Sequence, residues 1–395
     1  MVIPFNLHQK FDHVKLQPLA GIYIHIPFCK QACTYCNFHF STNLNQSSEF
    51  LVALKKEISI SSNFISHSEV IDTIYFGGGT PSLLRFEEIL SILDELQKKY
   101  SIAHDAEITI EANPDDIQYS TIKAWMNLGI NRISLGVQTF SEEELQFMNR
   151  THSSDQSLIS IKEIQDAGIT NFSIDLIFGS QIQSDQDLIK NIEMVTTNNI
   201  PHVSCYALTA EPKTLLHHLI HSKKIEEIHS EKQARQFILT MDLLNQCGYE
   251  QYEISNYALS GMRSKHNSSY WSGKSYFGFG PSAHSYNGID IRRWNVANNA
   301  LYIKSILSGT IPYEEERLTP TQQINEYIMT AVRTIEGIDL HDMQSRFGVE
   351  KTMQLMHACA AEIKAERLIE KENHIYLSKS GKLFADGIAA HLFFE

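Results

Sequence analysis

From Gly21 onward, short apolar or β-branched runs alternate with longer stretches whose apolar residues recur every three to four positions. The short runs, residues 22–26, 73–76, 107–111, 132–138, 172–178 and 203–208, predict strands. The stretches 49–61, 86–100, 121–128, 158–167 and 188–196 predict amphipathic helices between them. Gly129, Gly168 and Gly248 close helical stretches just before a strand, where a left-handed cap is expected. Ser141 with Glu144 three residues on matches a capping box. Six strand–helix repeats predict an α/β fold with a parallel sheet, which right-handed crossovers curl into a full or partial barrel.

A further helix over 231–246 leads into mixed strand and turn sequence rich in Tyr, Gly and Asn, up to about residue 299. Beyond that the pattern changes. Helices over 321–336 and 351–366 precede a hairpin of 368–370 with 374–377 and a final helix from Ser380. The chain is therefore divided into an N-terminal arm at 1–19, a barrel with a strand and loop extension at 20–300, and a smaller helical, winged-helix-like domain at 301–395.

Composition supports a sizeable core: 43% of the 395 residues are hydrophobic and 20% are charged. With 33 basic against 46 acidic residues, the net charge of −13 disfavours general binding to nucleic acid, so the C-terminal domain reads as a packing or partner-docking element. No window approaches the ~20 apolar residues of a membrane span, and no secretory leader pattern is present in the sequence, so a cytoplasmic location is expected. The six cysteines do not read as a disulfide framework. Cys205, Cys247 and Cys359 are scattered singly, whereas Cys29, Cys33 and Cys36 lie within eight residues.

That cluster, spaced CxxxCxxC, falls in the loop after the first strand. Three thiolates there can converge on one metal centre. A closed zinc site wants four ligands and would have to borrow a histidine such as His39. Three thiolates without a fourth local cysteine suit an iron–sulfur cluster that keeps one iron open.

Other polar residues fall at the C-terminal ends of predicted strands, where βα barrels build their sites. Gly77-Gly78-Gly79-Thr80-Pro81 follows the second strand, and its glycines allow close backbone approach to a ligand. Glu111 ends the third strand, Gln138 ends the fourth, and Asp175 lies in the fifth. Polar side chains in strands buried on both faces are costly unless paired or bound to a ligand. Arg150 follows nearby and can answer a carboxylate.

With these motifs the stretch from Tyr23 to about Gly179 resembles the radical S-adenosylmethionine (SAM) superfamily. Gly-Val-Gln-Thr-Phe at 136–140, Glu-Ala-Asn-Pro at 111–114 and Asp-Leu-Ile-Phe-Gly at 175–179 resemble two related families more narrowly. One is the oxygen-independent coproporphyrinogen III dehydrogenases; the other is the radical SAM heme chaperones. The resemblance implies a partial (βα)6 barrel in which Cys29, Cys33 and Cys36 bind three irons of a [4Fe–4S] cluster and SAM chelates the fourth. It also implies that Tyr23 and Tyr35 lie beside SAM and that Gly78, Gly79 and Thr80 hold its methionine part. Glu111 and Arg150 would contact SAM as well, while Gln138 and Asp175 would serve the nucleoside.

Two departures separate the relatives. The dehydrogenase pattern has a fourth cysteine two residues after the third, where this chain has Phe38, and it has a long extension before the cluster loop, whereas here Cys29 follows only 28 residues. Both features resemble the heme chaperones. Lys265-His266-Asn267-Ser-Ser-Tyr270-Trp271 adds a histidine beside aromatic residues, able to ligate heme iron and stack on the macrocycle. The chaperone resemblance makes His266 the leading heme ligand, the alternative being that it packs structurally with Tyr270 and Trp271; His284, in Gly-Pro-Ser-Ala-His-Ser, is a weaker candidate. It implies delivery of heme to a hemoprotein such as a respiratory enzyme, with dimer formation linked to heme or cluster binding. The alternatives are a radical enzyme that decarboxylates the propionates of coproporphyrinogen III, and a zinc-stabilised binding protein.

Overall fold

The computed structural model describes residues 19–61, 64 and 69–395; the N-terminal arm expected at 1–19 therefore lies outside the described residues, except for Leu19. Six strands run parallel in chain order, with crossover helices between them: β1 (Leu19–Ile26), β2 (Val70–Gly78), β3 (Ile102–Ala112), β4 (Arg132–Gln138), β5 (Phe172–Phe178) and β6 (His202–Ala207). All six match predicted strands.

The sheet continues past both ends of this series. At one edge β7 (Glu250–Gln251) and β8 (Asn256–Ala258) add antiparallel to β6. At the other, β9 (Tyr276–Phe279) pairs parallel to β1, followed by antiparallel β10 (His284–Tyr286), β11 (Ile291–Asn295) and β12 (Tyr313–Arg317). The strand and turn sequence read as an extension thus supplies a seventh parallel strand. The sheet of twelve strands has its edges at β12 and β7, which makes a partial barrel.

The strands alternate two kinds of side chain. Ile22, Ile24 and Ile26 of β1, Ile74 and Phe76 of β2, and Ile133, Leu135 and Val137 of β4 are buried under the surrounding helices. The intervening positions are polar or small and meet one another inside the barrel: Tyr75 reaches Glu111, Ser173 reaches Ser134, and Tyr23 stacks near Tyr75. Burial on both faces would favour continuous apolar strands. A polar inner face therefore points to an interior meant for ligands.

The expected glycine caps at Gly129, Gly168 and Gly248 all take positive φ. The capping box at Ser141 is only half formed. Ser141 Oγ accepts from the Glu144 N–H at 3.5 Å, but the Glu144 carboxylate turns inward and accepts from Gln183 Nε2 at 3.0 Å. Burial pushes that carboxyl up to about 7, and the bond from Gln183 is part of what opposes the shift. The final helix also starts later than expected: a 3-10 turn over Gly381–Phe384 precedes an α-helix at Ala385–His391. Gly381 packs so tightly on the Arg367 backbone that a Cβ would lie 1.9 Å from the Arg367 carbonyl oxygen.

The C-terminal part builds its own core from Ile324 to Leu392, around helices Pro320–Ala331, Leu340–Phe347 and Val349–Lys364 and a three-stranded sheet of β13 (Ile338–Asp339), β14 (Leu368–Lys371) and β15 (His374–Leu377). Helices followed by this small hairpin sheet give the winged-helix-like pattern. The helix Asn299–Leu307 instead packs Tyr302, Ile303 and Ile306 into the barrel core.

Candidate functional site

The cysteine loop leaves β1 and is tied down at several points. Cys29 N–H donates to Ser41 O at 3.0 Å, and Thr34 N–H donates to Met148 O at 3.1 Å. Lys30 pairs with Asp115 at 2.8 Å and also with Asp116. Asn149 Nδ2 donates to Ala32 O at 2.7 Å. Such a frame fixes the backbone while leaving Cys29, Cys33 and Cys36 partly exposed and unbridged. Burial pushes the Cys29 thiol up to about 11 and raises that of Cys36, so metal binding there must displace protons.

The glycine turn lies directly against this loop. Gly79 N–H donates to Ile26 O at 2.8 Å and Thr80 N–H to Phe28 O at 2.7 Å. A Cβ on Gly79 would fall 2.6 Å from the Phe28 carbonyl oxygen, and Gly78 has φ +108° with the His25 ring in the space a Cβ would take. Only glycine fits this approach.

Beneath the turn, Glu111 accepts from the Tyr75 hydroxyl at 2.8 Å and from the Gly78 N–H at 3.1 Å. Burial pushes Glu111 up to about 7, the Tyr75 bond opposes this, and the nearby Asp175 adds to it. Asp175 is itself raised to about 6 by burial, against the pull of Ser204 and Arg132. Arg150 donates to Cys33 Sγ at 3.2 Å, to Asn113 Oδ1 at 2.7 Å and to Gly136 O at 2.9 Å, while its buried Nε has no partner. Gln138 is buried and takes φ 69°, a left-handed conformation that costs a non-glycine residue energy and concentrates at functional sites. Tyr23 lies 6.1 Å from Tyr75, ring to ring, and Tyr35 packs with Met148, Ile177 and Leu208. The fold thus brings the cysteines, glycine turn, Glu111, Gln138, Arg150 and Asp175 to one end of the barrel.

His266 lies elsewhere. The helix Lys265–Trp271 plugs the opposite, N-terminal end of the strands, and His266 is 1% exposed. Its Nδ1 is 2.8 Å from Thr73 Oγ1 and its Nε2 is 2.9 Å from the Tyr270 hydroxyl, while its ring stacks on Tyr75 at 4.9 Å. Both ring nitrogens are therefore engaged. Burial, with Arg132 assisting, lowers its pKa to about 3, so the ring is neutral. His284 is exposed on β10 and stacks on Trp294 at 6.0 Å.

Several residues at the site carry no motif. His25 joins the Tyr23 hydroxyl at 3.2 Å to the His39 carbonyl at 2.8 Å. Tyr75 links His266 to Glu111, and Arg132 is 1% exposed with Nε and Nη2 unpartnered. Their shared signal is position: Tyr75 and Arg132 occupy the same alternate face of their strands as Gly77 and Gln138, so period-two counting could have found them.

The donor set fits an iron–sulfur cluster better than a single ion. A lone zinc gathers its thiolates at about 2.3 Å each, whereas a cluster presents separate irons to separate cysteines. His39, the histidine available for zinc, has its Nε2 2.7 Å from Asn299 Oδ1. The glycine cradle and the free Arg150 Nε beside the loop fit a small polar molecule bound next to such a cluster.

Comparison with known proteins agrees. The radical SAM superfamily model matches residues 23–195. The heme chaperone HemW of Bacillus subtilis is 33% identical over 374 residues, covering 94% of this chain and 98% of its own. That of Synechocystis is 34% identical, covering 85% and 83%. The solved structure of the Escherichia coli coproporphyrinogen III oxidase HemN, a radical SAM enzyme, superposes with a TM-score of 0.82 over 95% of this chain and 90% of its own, at 21% identity, and so shares the fold. A CxxxCxxC loop packed on a glycine cradle in a partial barrel, with full-length relatives of this kind, shows that the chain belongs to the radical SAM superfamily and, within it, to the HemW heme chaperone family.

Proposed function

We propose that this chain is a heme chaperone: it binds heme and, with a [4Fe–4S] cluster and SAM at the C-terminal end of its barrel, passes the heme to an acceptor hemoprotein. Similarity to heme chaperones across 94% of the chain carries the reading. When bound, the cluster and SAM supply a one-electron donor and a cleavable sulfonium. Cys29, Cys33 and Cys36 would hold three irons and would leave the fourth open to SAM. Phe38, 70% exposed where the dehydrogenases place a further cysteine, offers no ligand. Tyr23, Tyr35, Gly78, Gly79, Thr80, Glu111, Gln138, Arg150 and Asp175 would surround SAM; ionised Glu111 would attract its ammonium and the Arg150 guanidinium its carboxylate. A respiratory hemoprotein acceptor, dimer formation on heme or cluster binding, and a cytoplasmic location belong to the same proposal. Among the described residues no helix is long and apolar enough to cross a membrane.

His266 is the proposed axial ligand, and ligation requires its Nε2 to release the Tyr270 hydroxyl.

The test is anaerobic reconstitution with iron and sulfide, then heme titration by Soret absorbance with a parallel assay on coproporphyrinogen III. Saturable heme binding without porphyrinogen turnover is expected. Turnover without heme binding would move the chain to the oxidase reading, and zinc without iron or sulfide after anaerobic purification would move it to the zinc reading.

A further inference from the structure

The barrel has a second opening. At the N-terminal ends of β1, β2, β3 and β9, on the far side from the cysteine loop, a cleft of about 1180 Å³ separates the Lys265–Trp271 helix from the C-terminal domain. This exceeds the ~300–1,000 Å³ of ordinary small-molecule pockets. One wall carries Tyr270, Trp271, Tyr276 and Tyr286, and the other carries Tyr327 and Arg346. The tyrosines follow one another, Tyr270 to Tyr276 at 4.7 Å and Tyr276 to Tyr286 at 6.3 Å between ring centres.

Two flat cations lie on this aromatic surface. The Arg292 guanidinium is 5.7 Å from the centre of the Tyr286 ring, and that of Arg346 is 4.9 Å from the centre of the Tyr327 ring. Arg292 gives one nitrogen to Glu326 and Arg346 one to Asp342 at 3.3 Å. Among the described residues the remaining donors of both forks have no protein acceptor. Arginines lying over aromatic rings with open forks suit carboxylates, and a wall of aromatic side chains, with Tyr270 edge-on to Tyr276 and Tyr276 tilted against Tyr286, suits contact with a macrocycle.

We propose that the heme cargo rests in this cleft, its macrocycle on Tyr286, Tyr276 and Trp271 and its two propionates on Arg292 and Arg346. The proposal rests on the heme-chaperone reading and deepens it by locating the cargo and giving the C-terminal domain a part in holding it. His266 does not line the cleft but lies behind Tyr270, so it can ligate an iron held there only when Tyr270 swings aside from its bond to His266 Nε2. The cargo is therefore at the end of the barrel opposite the cysteine loop, which separates a carrier from an enzyme whose substrate must touch SAM.

The experiment titrates the reconstituted full chain with heme and with heme dimethyl ester, whose propionates are blocked, in wild type and in Arg292→Gln, Arg346→Gln and their combination. Quenching of tryptophan fluorescence is followed in wild type and Trp271→Phe. Wild type is expected to prefer heme over the ester by about tenfold or more, the combined variant to lose that preference, and Trp271→Phe to lose most of the quenching. Thermal melting and cluster absorbance of each variant report folding. Equal affinity for heme and ester in wild type, or an undiminished preference in the folded combined variant, would overturn the cleft assignment while leaving the chaperone reading in place. No saturable heme binding by wild type would remove that reading, and the cleft assignment with it.

Discussion

Glu111 is held near its point of ionisation at about 7 by burial, with the bond from Tyr75 opposing the shift and the negative charge of Asp175 adding to it. In the proposed SAM site its carboxylate would attract the SAM ammonium only when ionised. Raising the pH from 6 to 8 moves most of the population through that pKa, so SAM affinity of the reconstituted protein is expected to rise about tenfold. Equilibrium dialysis across that range checks this, and Glu111→Gln is expected to give a flat profile. The same dependence in the variant would assign the titration to another group. Tyr270 poses a second question at this scale. Its hydroxyl occupies His266 Nε2, and Tyr270→Phe keeps the ring while freeing the nitrogen. If His266 ligates the iron, heme affinity is expected to rise several-fold in Tyr270→Phe, because less of the population is unable to bind, and to collapse in His266→Ala. Soret titration of both variants decides; unchanged affinity in both would exclude His266 as the ligand.

The helix Lys265–Trp271 has seven residues, too few to persist alone. Its surroundings hold it. Ser264 Oγ accepts from the Asn267 N–H at 3.2 Å, while the buried Glu107 carboxylate accepts from the N–H groups of Lys265 at 3.2 Å and His266 at 3.0 Å. A carboxylate at a helix N-terminus also meets the positive end of the helix dipole. Glu107→Ala leaves those donors without an acceptor inside the barrel and is expected to cost about 2–4 kcal/mol. Urea unfolding measures the loss. Hydrogen exchange should show it concentrated in residues 265–271, with the cysteine loop retaining its protection. From this helix a path of contacts runs through the His266 ring to Tyr75 at 4.9 Å and on to Glu111 at 2.8 Å and Gly78 at 3.1 Å. The two ends of the barrel are joined by packed and hydrogen-bonded groups.

Across the whole molecule, Glu57 ties the extension to the barrel. From the helix Ser47–Ile60 it accepts from Gly280 N–H at 2.8 Å, Asn295 Nδ2 at 2.6 Å and the Tyr302 hydroxyl at 2.5 Å. Burial pushes its carboxyl up to about 7 from 4.5 despite those three donors. The folded state thus holds this proton more tightly than the unfolded chain. The stability from that tighter hold is complete below about pH 4.5 and is lost as the pH rises through about 7. Relative to Glu57→Gln, wild-type stability is expected to fall by about 2–3 kcal/mol between pH 5 and pH 8. Urea unfolding of both proteins at the two pH values checks the sign; a gap that widens in favour of wild type at pH 8 would refute it.

Much of this architecture was legible along the chain. The six parallel strands, their crossover helices and the glycine caps depend on periodicity and on residues close in sequence, so local pattern specified them. The cysteine spacing and the polar residues at strand ends were legible for the same reason: each departs from the apolar pattern of a buried strand. Contacts between distant segments were not. The pairing of β9 with β1, the inward turn of Glu144 to Gln183 and the engagement of both His266 nitrogens by Thr73 and Tyr270 join residues 39 to 255 positions apart, except for the local bond to Tyr270. Motif reading named His266 as a heme ligand without placing it relative to the cysteine loop, and the fold puts it at the other end of the strands, because β2 runs past both sites and carries Thr73 at one end and Gly78 at the other. Sequence alone determined which side chains face the barrel interior. Only the tertiary structure decided which end of the barrel each one serves, since that depends on where a helix nearly 200 residues downstream packs.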